Sequence, residues 1–282
     1  MPVFRINNML FPGGLRRALT LSYDDGVVQD RRLVEMMDRY GVRGTFNLNS
    51  GFLGRSERSV LEGADVDIST VLPGEVATLY RNHEISTHGA RHSSPTDCGS
   101  AALAELLEDR RALEALVPYM VTGHAYPFGL YDDEVISALK SAGIAYARTV
   151  VSTHAFDLPR DFLRWDPTCH HNDPELMALA ERFCTRDASF GRPQLFYLWG
   201  HSYEFDIHSN WERMEDFLSF VRGYRDRIWF ASNGDIVRYV TAWKRLVFSA
   251  DGTRAYNPTD TELWIGTADD VRSVRSGETA VL

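Results

Sequence analysis

Residues 17–48 read RALTLSYDDGVVQDRRLVEMMDRYGVRGTFNL. The run 17–23 has the length and composition of a β-strand. After it Val28, Leu33, Met36, Met37 and Tyr40 recur at roughly helical spacing, and Gly41 closes the helix. A second strand follows at 44–48. Strand, helix and strand joined by short loops make a βαβ unit, whose two strands run parallel.

The unit repeats along the chain. Helices are expected at 73–81, 100–117, 132–142, 174–185, 211–223 and 234–243, with strands at 84–88, 119–122, 144–150, 194–199 and 227–231. Seven or so such units argue for a parallel sheet wrapped by helices. The expected class is α/β: a distorted (β/α) barrel, complete or slightly incomplete. An open doubly wound sheet is the alternative, but its Gly-rich first turn is missing, since Asp24 and Asp25 stand where a phosphate would sit. Past Lys244 the turn signals Asp251-Gly252, Asn257-Pro258 and Ser276-Gly277 separate short alternating runs. The expected division is a barrel at 1–245 and a small all-β appendage at 246–282.

The 282 residues, 44% of them apolar side chains and 24% charged, have an ordinary globular composition, and they can bury a core without covalent staples. Three dispersed cysteines, Cys98, Cys169 and Cys184, make no disulfide framework and favour a reducing compartment. The 39 acids against 30 bases give a charge of -9, with no basic run to track a phosphate backbone, so nucleic acid is excluded as a partner. No stretch approaches the ~20 consecutive apolar residues of a membrane span. The N-terminus MPVFRINNMLFPGGLRR lacks the apolar core of a signal peptide. The reading is cytoplasmic, or exported with the leader already removed.

In a barrel the functional groups gather at the C-terminal ends of the strands. The first strand ends in Asp24-Asp25-Gly26. Adjacent side chains on a strand point to opposite faces, so two neighbouring carboxylates share a site only where the strand stops, and Gly26 supplies the turn. Capping of the next helix is the competing role for Asp25. The strand at 84–88 runs into His88-Gly89-Ala90-Arg91-His92, and two histidines four apart share a face if the backbone coils into a helical turn. His124-Ala125-Tyr126-Pro127-Phe128-Gly129 is a rigid loop that can offer a backbone amide to a developing oxyanion. After 194–199 comes a third strand-end histidine, His201. Two imidazoles and one carboxylate leave open positions on a divalent metal, and the remaining acid and histidine fall into base and acid roles.

On these motifs the chain resembles the polysaccharide deacetylases with the NodB homology domain, carbohydrate esterase family four. The family's Thr-Phe-Asp-Asp-Gly is matched by Ser22-Tyr23-Asp24-Asp25-Gly26, its two spaced histidines by His88 and His92, its Arg-x-Pro-Tyr/Phe by Ala125-Tyr126-Pro127-Phe128, and its late histidine motif by Leu198-Trp199-Gly200-His201. The resemblance covers roughly residues 15–245. It implies a general base at Asp24 and metal ligation by Asp25, His88 and His92. The metal is expected to be zinc, with cobalt or nickel as alternatives.

The resemblance further implies hydrolysis of an N-acetyl, or O-acetyl, group on an amino sugar or polysaccharide. The Phe128 backbone amide would bind the oxyanion and His201 would protonate the leaving amine. Opening of a cyclic amide of the allantoin type is the nearest rival, and a non-catalytic carbohydrate-binding relative the next.

Two departures stand out. Ala125 replaces the arginine that holds the family's catalytic aspartate, and Arg164 is the candidate substitute. The family's Asp-and-Trp motif finds only Arg164-Trp165-Asp166-Pro167, from which Asp166 is expected to orient His201 and Trp165 to line the groove. Trp199, Tyr131, Phe205 and Trp211 are further candidates for stacking on a sugar or for the core. Cys169-His170-His171-Asn172 reads as a second metal site or as the loop before a helix, with the loop preferred.

Overall fold

The computed structural model describes residues 8–97, 99, 101–186, 191–267 and 270–282. Cys98 lies outside them. Eight strands form one parallel sheet: β1 (Arg17–Asp24), β2 (Gly44–Leu48), β3 (Glu84–Thr87), β4 (Gly123–Ala125), β5 (Tyr146–Arg148), β6 (Cys169–His170), β7 (Gln194–His201) and β8 (Ile228–Phe230). Their order is β5-β4-β3-β2-β1-β7-β6, with β8 beside the start of β1. The segment leading into β6 bridges β5 through Trp165 and Arg148, while β6 itself pairs with β7. That contact brings the two ends of the sheet together, giving the distorted, incomplete barrel expected of the repeated units.

β1 is buried along its whole length, as a central parallel strand covered on both faces must be. Helix α1 (Asp30–Tyr40) turns Leu33, Val34, Met36 and Met37 inward and ends on Gly41 in the left-handed conformation. α2 (Ala101–Glu114), α3 (Asp133–Ser141), α4 (Leu176–Thr185), α5 (Glu204–Ile207), α6 (Trp211–Arg222) and α7 (Asn233–Trp243) complete the helical layer. Phe183 of α4 and Phe217 of α6 meet Phe196 of β7 in one continuous core. At 73–81 the expected helix shrinks to a 3₁₀ turn and a single α-turn, Val76–Leu79.

The strand expected at 119–122 lies instead at Gly123–Ala125. Tyr119 and Met120 look β-forming but are exposed. The real strand opens on a glycine because a Cβ there would meet the Tyr146 hydroxyl at 2.1 Å. A hairpin, Arg58–Leu61 with Ala64–Asp67, was not anticipated. Its two-residue turn, Glu62-Gly63, takes positive φ at both positions (51° and 86°), the type I′ geometry that suits strand twist.

The C-terminal strands form two small antiparallel sheets, and Met9–Leu10 from the other end of the chain pairs with Leu263–Gly266. Tyr239 and Trp243 of α7 seal this layer onto the barrel core. No described helix is long and apolar enough to cross a membrane.

Candidate metal centre and its surroundings

Asp24 is the last residue of β1, and Asp25 follows with φ 76°, Gly26 with φ 64°. This reversal lets both carboxylates reach one point, at a conformational cost on Asp25 that L-residues seldom bear outside functional turns. Gly26 is required here, because a Cβ would strike Leu48 at 2.7 Å.

His88 and His92 come together through a turn with Gly89 at φ 78° and His92 at φ 52°, and not through the helical turn their spacing suggested. Asp109, buried on α2, accepts the Ser50 and His88 N–H groups (2.8 and 3.0 Å) and so fixes the end of β3. Burial pushes its carboxyl up to about 6 despite these bonds. An aspartate between Leu106 and Leu113 on the inward face of a helix is the signal that could have revealed it.

His88 Nε2 lies 3.7 Å and His92 Nε2 3.9 Å from Asp25 Oδ1. Ligands about 2.1 Å from a tetrahedral ion stand about 3.4 Å apart, so the spacing suits one ion. The second nitrogen of His88 faces the Ala125 carbonyl at 2.8 Å, which makes Nδ1 the donor and leaves the Nε2 lone pair for a metal. The donor set fits a divalent cation.

Asp24 is held by groups that no motif named. Arg148, at the end of β5 and wholly buried, donates to Asp24 Oδ2, while the Asn47 amide donates to Oδ1 at 2.8 Å. Burial works against ionisation of Asp24. The Arg148 guanidinium, His88, His201 and the Asn47 hydrogen bond together outweigh it, and the carboxyl is held at about 2. Arg148 therefore occupies the role for which Arg164 was the candidate. Arg164 instead pairs on the surface with Asp161 and Asp133 (2.7 and 2.5 Å). A lone arginine inside the apolar strand 144–150 was the available clue, since a buried guanidinium needs a carboxylate.

His201 ends β7, and its Nδ1 bonds Glu204 Oε1 at 3.0 Å. Glu204 Oε2 also lies 3.1 Å from His170 Nε2 and 2.9 Å from His171 Nε2. Burial disfavours the His201 cation, yet Glu204, Asp25 and Asp24 together raise it to about 9. Burial likewise opposes the Glu204 carboxylate, but the three imidazoles around it hold it well below the usual range.

Asp166 does not orient His201. Trp165 bridges to Arg148, which puts Asp166 beside Thr149, whose hydroxyl it accepts. His170, His171 and Glu204 are close enough to chelate an ion. However, the Asn172 N–H donates to His170 Nδ1, so Nε2 carries the proton and faces Glu204 as a donor.

Phe128 has φ 59° in the turn Pro127–Gly129, and its exposed ring packs edge-on to His92 with centroids 4.5 Å apart. The Gly129 and Leu130 N–H groups close that turn, and no described residue accepts from the Phe128 N–H.

Three of the expected sugar platforms are turned into the core, while Tyr131 and Trp199 stay half-buried, Trp199 beside the His201 ring. Trp165 is 1% exposed, packed among Tyr146, Phe162 and Tyr197. Phe205 and Trp211 are core as well. Tyr131 stacks on Tyr126, and Trp199 lies under the Arg148 guanidinium at 4.4 Å.

The sequence profile of the polysaccharide deacetylases matches residues 14–147, from just before β1 into β5. Over these residues, just under half of the chain, the sequence is similar to the polysaccharide deacetylases. The match holds Asp24, Asp25, His88, His92 and Phe128, and it stops one residue short of Arg148. No curated protein sequence is significantly similar to the chain.

Among solved structures, a Mycobacterium smegmatis protein classed with the polysaccharide deacetylases superposes with a TM-score of 0.58 at 17% identity, over 83% of this chain and 93% of that one. A carbohydrate esterase family four pseudoenzyme from Bacillus anthracis gives 0.50 at 15% identity, over 80% and 66%. At these identities the likeness is one of fold.

Proposed function

We propose that this polysaccharide deacetylase relative is a metal-dependent hydrolase that removes an N-acyl group, acetyl on an amino sugar being the family's type, and releases a carboxylate and a free amine. The observation that carries this reading is the meeting of Asp24, Asp25, His88, His92 and His201 at the C-terminal ends of the parallel strands β1, β3 and β7. A divalent metal held by Asp25, His88 and His92, zinc before cobalt or nickel, supplies a Lewis acid and a more acidic water.

The chain's own groups divide the remaining work. Asp24, kept ionised by Arg148 and Asn47, accepts the proton of the attacking water. The unused Phe128 N–H donates to the carbonyl oxygen as it gains charge. His201 Nδ1 is tied to Glu204, so Nε2 faces the site and delivers a proton to the departing nitrogen. Glu204 orients the ring and sustains its charge, the part expected of Asp166.

Acetate release from N-acetylated and O-acetylated sugars, with and without zinc and after chelation, tests the reading. Zinc-dependent acetate supports it. Turnover that survives complete chelation overturns it, and ring opening of a cyclic amide without acetate assigns the rival chemistry.

A further inference from the structure

Glu204 has two carboxylate oxygens, and only Oε1 meets His201. The other, Oε2, lies 2.9 Å from His171 Nε2 and 3.1 Å from His170 Nε2. The Asn172 side-chain amide donates to it as well, at 3.3 Å. The proposed proton donor therefore leans on a carboxylate whose far side is held by residues 170–172, at the end of β6.

His171 is the wholly buried member of this group. Its backbone is fixed independently of its ring: the N–H donates to the Trp199 carbonyl at 2.8 Å, and the carbonyl accepts the Arg213 Nε–H at 2.8 Å. The ring stacks on Phe205 (4.2 Å between centroids, 23° between planes) and on Tyr23 (5.7 Å, 17°). It also accounts for the glycine before His201, since a Cβ on Gly200 would meet His171 Nδ1 at 2.1 Å. Burial pushes the ring's pKa down to about 4 against the pull of Glu204, so near neutral pH it carries one proton. Nδ1 meets no partner among the described residues, which places that proton on Nε2, toward Glu204.

Stability alone does not call for a histidine here. A phenylalanine would stack on the same two rings and would bury no nitrogen without a partner, which carries a desolvation cost. What the imidazole adds is an N–H on the carboxylate behind His201.

We propose that His171 is a positioning residue for the reaction: its Nε2–H, backed by His170, holds the Glu204 carboxylate in the orientation that fixes His201 Nδ1 and so directs Nε2 at the departing nitrogen. The inference rests on the hydrolase reading above and adds to it a residue outside the Asp25, His88 and His92 set.

The test compares His171→Phe and His171→Gln in the zinc-loaded protein, on an acetylated sugar that the parent hydrolyses. His171→Phe should lower kcat about tenfold, the scale of one hydrogen bond to a charged group, with KM within about twofold and a denaturant midpoint at or above the parent's. His171→Gln, which returns an N–H near the place of Nε2, should recover most of the loss. In long-range proton–nitrogen correlation spectra the parent's His171 should carry its proton on Nε2. The His201 Nδ1–H signal should persist in His171→Gln and vanish in His171→Phe. Undiminished kcat in His171→Phe overturns the inference. So does a lowered midpoint in which His171→Gln is no more active than His171→Phe, the mark of a purely structural ring. A parent His171 protonated on Nδ1 overturns it without any variant having to fold. If no acetylated sugar is hydrolysed, the hydrolase reading fails and the spectra alone decide the positioning: loss of the His201 signal in His171→Phe upholds it, and an unchanged signal removes it.

Discussion

His201 and Asp24 are register partners at the ends of the adjacent parallel strands β7 and β1, and His201 Nε2 stands 3.8 Å from Asp24 Oδ2. That is beyond hydrogen-bond length, so the imidazole proton remains free for a substrate atom while the carboxylate remains free for a water. The proposed acid and base are set against each other by one rung of a ladder that begins at Gln194 and Arg17.

His201→Ala is expected to cost about a hundredfold or more in kcat, the usual scale for losing a general acid. Metal content should be unchanged, because the ring lies outside the Asp25, His88 and His92 set. Elemental analysis beside steady-state rates checks both halves, and undiminished turnover would remove the acid role.

Glu204→Gln should move the alkaline fall in kcat to lower pH. His201 acts as an acid only while protonated, and with its pKa raised to about 9 the rate should decline as pH rises through that value. Without the Glu204 charge the imidazolium loses its proton at lower pH. A pH–rate profile identical to that of the parent would show that Glu204 does not tune the acid.

Asp25→Ala and His88→Ala should each reduce bound zinc well below one ion per chain after dialysis, with activity falling in parallel. Asp24→Asn should retain the ion while losing turnover. Full zinc occupancy in Asp25→Ala would dismiss the ligand assignment.

Arg148→Met leaves the Asp24 carboxylate buried without its cation, a change that typically costs about 3–5 kcal/mol. The wild-type pair should also mark the acid limb of stability. With Asp24 held at about 2 in the folded chain, its contribution is present above its ordinary value near 4 and is lost as pH falls through about 2. Denaturant titrations of both proteins from pH 7 to pH 2 measure this. An Arg148→Met midpoint equal to the parent's would show that the pair contributes nothing.

Residues with a local signature were legible in the chain. Asp24, Asp25, His88, His92 and His201 each follow a recognisable strand, and strand ends are where a barrel collects its chemistry. Their partners had no such signature. Asn47 and Glu204 look like ordinary polar residues until the sheet order sets β2 and β7 against β1, while Asp109 and Arg148 stand out only as charges in apolar surroundings, with nothing local to name what they hold. The aromatic candidates failed for a related reason: Trp165, Phe205 and Trp211 lie near strand ends in sequence, but each is turned into the core.

Hydrophobic periodicity, strand-helix alternation and the turn residues determined the α/β architecture and the identities of the strand-end acids and histidines, because these are properties of consecutive residues. Only the tertiary structure decided that Arg148 holds Asp24, that Glu204 with His170 and His171 holds His201, and that the hairpin raises an apolar wall beside Asp25. Each of these depends on burial and on which strand ends come together, for Arg148 and Asp24 across 124 residues of chain, and on side chains whose own hydrogen bonds are satisfied only in the folded protein.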